Sequence, residues 1–185
     1  MLSKIERNFF AAQEHDGRAL ASASDLLELE VLDGPPAQHY LARFKCKGFV
    51  RSAGGGVEVA ERFDVGIWMP DNYQEEFNPV RVLFWFGPRN VFHPNIAPPL
   101  VCPGRAYPGM PLVELLYTLF EMISWRKVRM DETDALTPAA CVWARNHRDL
   151  FPVDTRPLKR RRDLTPLAPL PADGKGGGSD VERSS

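Results

Sequence analysis

The chain has 185 residues, 44% hydrophobic and 25% charged, the make-up of one ordinary globular domain with or without a tail. A formal net charge of −1 excludes bulk attraction to nucleic acid or an anionic membrane, and no apolar run is long enough to span a bilayer. Cys46, Cys102 and Cys141 are odd in number and widely spaced, which argues against a disulfide framework and for a reducing, cytoplasmic compartment.

Leu2, Ile5, Phe9 and Ala12 recur at helical spacing and predict a short helix over residues 2–15, with Gly17 as its stop. Residues 1–7 mix acid and base and lack the apolar stretch of a signal peptide. The period then changes to two. Leu27, Leu29 and Val31 alternate in a first strand, and Gly34-Pro35-Pro36 makes a turn. Tyr40, Ala42, Phe44 and Cys46 alternate in a second, where Cys46 reads as a small packing residue. After a loop over 52–56, residues 57–69 predict one long third strand with Phe63, Val65, Ile67 and Met69 on one face. Pro79 opens a fourth strand over 80–86, with Val82, Phe84 and Phe86 alternating. Short connections favour an antiparallel meander.

Residues 92–102 predict a stiff, irregular loop, because Pro94, Pro98 and Pro99 fix their own φ and push the preceding residues out of helix. Leu112, Leu115, Leu116, Leu119, Met122 and Ile123 then share one stripe of a core-facing helix over 111–125. Thr137 is the expected N-cap of a further helix reaching about residue 148, with Cys141 buried in it. Residues 152–185 contain no aromatic residue and are rich in Pro, Gly, Arg and Ser, so a disordered tail is expected after a domain spanning 1–151. Within that tail Lys159-Arg160-Arg161-Arg162 reads as a solvated charge run. Helix, four-stranded meander, loop and two helices make an α+β fold.

The loop carries the chemistry-bearing side chains His93, Asn95 and Cys102. Thiol acyl chemistry needs a reachable sulfur and a donor for the charge that develops on the acyl oxygen. Asn95, seven residues before Cys102, supplies such a donor. His93 is either a base or a brace that holds the loop through its ring nitrogens. A hydrolase using Cys102 and His93 lacks any accompanying motif, and a zinc site from Cys102, His93, Cys141 and His147 lacks a closely spaced ligand pair.

The literal residues add to this. Met69-Pro70-Asp71-Asn72-Tyr73 is close to the phrase that ends the third strand of ubiquitin-conjugating enzymes. Pro79 before a fourth strand, then His93-Pro94-Asn95-Ile96, then Cys102, and finally Asp134-Ala135-Leu136-Thr137-Pro138 follow in the order of that family. Over roughly the first 150 residues the chain thus resembles the ubiquitin-conjugating (UBC-like) fold family. The resemblance implies that an activating-type enzyme passes the C-terminal glycine of a ubiquitin-like protein to Cys102, and that a lysine amine on a protein target then attacks the thioester. Asn95 would steady the oxyanion, and Asp134 matches the family position that orients the incoming amine. No metal or organic cofactor, nucleic acid or membrane is implied.

Gln74-Glu75 stand where the family has a proline that borders its ligase-binding edge, which leaves use of a ligase open. Cys102 is followed by Pro103-Gly104 rather than the common Leu-Asp. Such divergence is similar to that of bacterial members whose genes sit in ubiquitin-like, often anti-phage, operons. The alternative is a UBC-like module that has lost catalysis and only binds ubiquitin-like proteins.

Overall fold

The computed structural model describes residues 2–128 and 131–160. Helix α1, Lys4–Ser22, opens on a capping box in which Ser3 and Glu6 each bond the other's backbone N–H. Gly17 does not end it. The glycine sits inside the helix at its closest approach to the rest of the core, where a Cβ would lie 2.8 Å from Leu112 Cδ2 and 2.9 Å from Leu29 Cδ2. A glycine that reads as punctuation is thus a packing residue.

Four strands form the main antiparallel sheet, in the order β1 (Leu27–Val31), β2 (His39–Phe44), β5 (Phe63–Trp68) and β6 (Leu83–Gly87). The molecule is therefore α+β, with an N-terminal helix, a four-stranded antiparallel sheet and further helices. The expected third strand is two strands. β4 (Val57–Ala60) pairs with β3 (Gly48–Arg51) in a separate hairpin, and the chain changes partner at Glu61-Arg62 before β5 pairs with β2. Glu61 interrupts the apolar odd-numbered positions at this break, but only the pairing shows that the partner changes.

The fourth strand also starts late. Pro79–Val82 is a turn of helix, α2, with the Asn78 side chain accepting from Val80 N–H. That turn moves the phase by one residue. Leu83 and Trp85 face the core, whereas Phe84 is half-buried and Phe86 is 61% exposed on the opposite face. The inward faces of the sheet, carrying Tyr40, Ala42, Phe44, Val65 and Ile67, pack with α1 and with α3 (Leu112–Ile123) in one core. All six residues of the expected α3 stripe are buried there.

α4 spans Pro138–Asn146 and a short 3-10 turn covers Arg148–Leu150. A second, aromatic cluster lies between α4, β3 and the segment ahead of Cys102, built on Phe49, Phe92 and Trp125 with Trp143 and Phe151 against them. The expected domain end at 151 falls short. Leu158 is 2% exposed in the main core, and the Asp154 carboxylate accepts from Lys47 N–H at 2.8 Å and from Arg156 Nη2 at 2.7 Å. Arg160, part of the basic run, donates its N–H to Ala23 O and faces Asp25 at 3.4 Å. Residues 152–160 are a packed strap, and the rest of the expected tail, 161–185, lies outside the described residues.

Candidate active site

The segment expected to be irregular contains a tight hairpin. β7 (Ile96–Ala97) pairs antiparallel with β8 (Leu100–Val101), with Pro98 and Pro99 at the turn. Ile96 stands opposite Val101 and Ala97 opposite Leu100, so the next pair outward is Asn95 and Cys102. Their ladder bond is made, with Cys102 N–H donating to Asn95 O at 2.8 Å. Directly opposed residues on antiparallel strands place their Cβ atoms about 4.5–5.5 Å apart. The hairpin is the device that turns a separation of seven residues into adjacency. It is docked on the main sheet through Trp85 N–H, which donates to Pro99 O at 2.9 Å.

His93 is enclosed in the interior, whereas Cys102 is partly exposed. It is 1% exposed, its Nδ1 accepts from Asn95 N–H at 3.1 Å, and its ring meets Trp125 edge-on at 4.9 Å. Burial pushes its pKa down to about 3, so the imidazole is neutral, with the proton on Nε2 since Nδ1 is an acceptor. Nε2 is buried without a hydrogen-bond partner, which leaves no route from this ring to a substrate. Of the two roles open to His93, the geometry gives it bracing of the loop. Trp125 holds φ at 58°, the left-handed region usually left to glycine after a helix, and is kept there by stacking on Phe151 at 4.7 Å.

The helix that follows is tied to the same loop. Thr137 occupies the N-cap position of α4 but makes no capping bond. Its hydroxyl instead donates to Ile96 O at 2.9 Å, and its N–H to Pro94 O at 3.0 Å. The expected cap is in fact a strut, and its two hydrogen bonds tie the start of α4 to the His-Pro-Asn turn.

Above the pair opens a cavity of about 420 Å³, lined by Asn95, Cys102, Pro103, Gly104, Arg105, Met122, Lys127 and Val128. Cys102 is half-buried, reachable but walled. Asn95 is 8% exposed, and its carboxamide makes no hydrogen bond within the described residues although it lines this cavity. An unspent amide beside a reachable sulfur is the arrangement acyl transfer needs. The other thiols are unsuited to it. Cys46 is buried in the core, where burial pushes its pKa up to about 12, and burial likewise raises that of Cys141 within α4.

Asp134 is exposed and does not line the cavity; it lies three residues ahead of the Thr137 strut. Arg105 and Lys127 do line it, though nothing in the sequence singles them out. Lys127 lies four residues past the end of α3 and 25 beyond Cys102, and exposed cations carry no sequence signal of their own.

No family model, curated protein or solved structure matches the chain. No helix among the described residues is long and apolar enough to cross a membrane.

Proposed function

We propose that the chain is an acyl carrier of the ubiquitin-conjugating type, and that its α+β domain is a divergent form of that fold. The carrying observation is the hairpin that sets the unbonded Asn95 carboxamide opposite the half-buried Cys102 at the mouth of one cavity. In the first step the Cys102 sulfur attacks the thioester carbonyl of a ubiquitin-like protein held by an activating-type enzyme. The C–S bond to that enzyme breaks, and its thiol leaves with the proton. In the second step a neutral lysine amine on the target attacks the same carbonyl, the C–S bond breaks, and Cys102 leaves as a thiol with the proton given up by the amine nitrogen. Asn95 donates to the oxygen that becomes negative in the tetrahedral state of aminolysis. Asp134, exposed on the segment tied to the loop, meets the incoming ammonium ahead of the cavity and helps it shed its proton. ATP is consumed upstream, by the activating enzyme. The same chemistry suits a bacterial conjugation system, including one used against phage.

The test is reconstitution with an activating-type enzyme, a ubiquitin-like protein and ATP. A reductant-sensitive adduct is expected with the wild-type chain and none with Cys102→Ala. An adduct that persists in the variant shows that Cys102 is not the carrier. Binding of the ubiquitin-like protein without any adduct to the wild type assigns the chain to the non-catalytic modules instead.

A further inference from the structure

The cavity beside Cys102 is cationic. Of its lining residues, Arg105 and Lys127 are charged and both are basic, and no carboxylate lines it among the described residues. Neither cation makes an ion pair or a side-chain hydrogen bond within those residues. Among the acids of the flanking segments, Glu132 pairs with Arg145 and Asp154 with Arg156, and Glu121, Asp131 and Asp134 do not line the cavity. The Asn95 carboxamide, on a residue only 8% exposed and with no hydrogen bond among the described residues, is a third donor on the same wall. Two free cations and a free amide around one reachable sulfur form a site short of negative charge.

We infer that this cavity selects an anionic acyl donor, the acidic C-terminal segment of the protein whose carbonyl Cys102 receives, with Arg105 and Lys127 reading carboxylates just upstream of the reacting glycine. This rests on the acyl-carrier reading for the identity of the donor, but the charge preference stands on the cavity alone. A cationic cavity also repels a lysine ammonium, so the acceptor amine sheds its proton before it enters. In the exchange step the Cys102 thiolate attacks the donor carbonyl, the donor's C–S bond breaks, and the departing thiolate takes up a proton from water.

The experiment has two arms. In the first, the full chain is alkylated with iodoacetate and with iodoacetamide, and mass spectrometry follows the modification at Cys102. Both reagents need the thiolate, so any change in thiolate fraction cancels in their rate ratio. The expected ratio favours the anionic reagent relative to free cysteine. It drops roughly threefold for each of Arg105→Gln and Lys127→Gln, the Coulomb effect of losing one unit charge several ångströms away in water, and it falls in 0.5 M salt with the wild-type chain unchanged. A ratio equal to that of free cysteine, and insensitive to salt and to both variants, overturns the inference.

In the second arm, two synthetic peptide thioesters ending in two glycines, one with two glutamates upstream and one with two lysines, are offered to the chain without any activating enzyme. Faster exchange of the acidic peptide onto Cys102 supports the inference, and equal or reversed rates overturn it. If neither peptide exchanges while alkylation still favours the anion, the acyl-carrier reading fails and the anion-selective cavity stands.

Discussion

His93 has a neutral imidazole in the fold and an ordinary one when the chain unfolds. With its folded pKa pushed down to about 3 from 6.5, the unfolded chain binds the extra proton as the pH falls. Its contribution to stability is therefore full above pH 6.5 and is lost as the pH drops toward 3. Urea unfolding should show about 2 kcal/mol of stability lost between pH 6.5 and 5 through this one group, and a His93→Gln variant should lack that part of the slope. An unchanged slope would mean that the ring is not held neutral. Asn95 has two separable duties. Its N–H and C=O hold His93 and Cys102, and its carboxamide faces the cavity unbonded. Asn95→Ala keeps the backbone bonds and loses the amide. Thioester loading should survive, while single-turnover transfer to an amine slows by about 10²–10³, the usual cost of one oxyanion donor. Equal loss of both steps would reduce Asn95 to a scaffold residue.

Among the elements, the β7–β8 hairpin does most for the site. The segment is non-helical, as its three prolines require, and the sequence places His93, Asn95 and Cys102 together in it. Adjacency of Asn95 and Cys102 was not legible, because it depends on a register centred between Pro98 and Pro99. Other element errors have the same origin. Residues 57–69 carry one apolar alternation interrupted at Glu61, but Gly48–Arg51 competes with β2 for a partner and wins the first half. The close fit of that small hairpin is testable at Gly48. A Cβ there would lie 2.6 Å from Phe63 Cζ and 2.8 Å from the Ile123 carbonyl oxygen, which is backbone and cannot turn aside. Gly48→Ala should cost about 1–3 kcal/mol, as overpacking does in a close-packed interior. Thermal unfolding checks this, and an unchanged midpoint would show that the hairpin can shift away from α3.

For the molecule as a whole, the boundary of the folded unit is the point most open to measurement. Burial drives the Asp154 carboxyl up, but bonds from the Arg156 side chain and from the N–H groups of Lys47 and Arg156 outweigh it and hold the pKa at about 2. A buried, bonded carboxylate and a buried Leu158 belong to a core rather than a tail. A chain ended at Arg160 keeps these contacts, whereas one ended at Phe151 exposes the Leu158 site and leaves the Lys47 N–H unpaired. The shorter chain should be less stable by roughly 3–5 kcal/mol, the sum of one apolar side chain and one orphaned amide. Matching denaturation curves for the two chains would return the strap to the status of a tail.

By itself the sequence determined what short-range physics encodes: the helical stripes of α1 and α3, the two-residue alternation of β1, β2 and β5, the proline stiffness around Cys102, and the residue types suited to acyl chemistry. Only the tertiary structure decided which strand pairs with which, that His93 is entombed while Cys102 is reachable, that residues 152–160 belong to the core, and that Arg105 and Lys127 share the cavity with the thiol. Pairing, burial and charge proximity are contacts between residues far apart in the chain. Their free energy depends on partners that no local window of sequence contains.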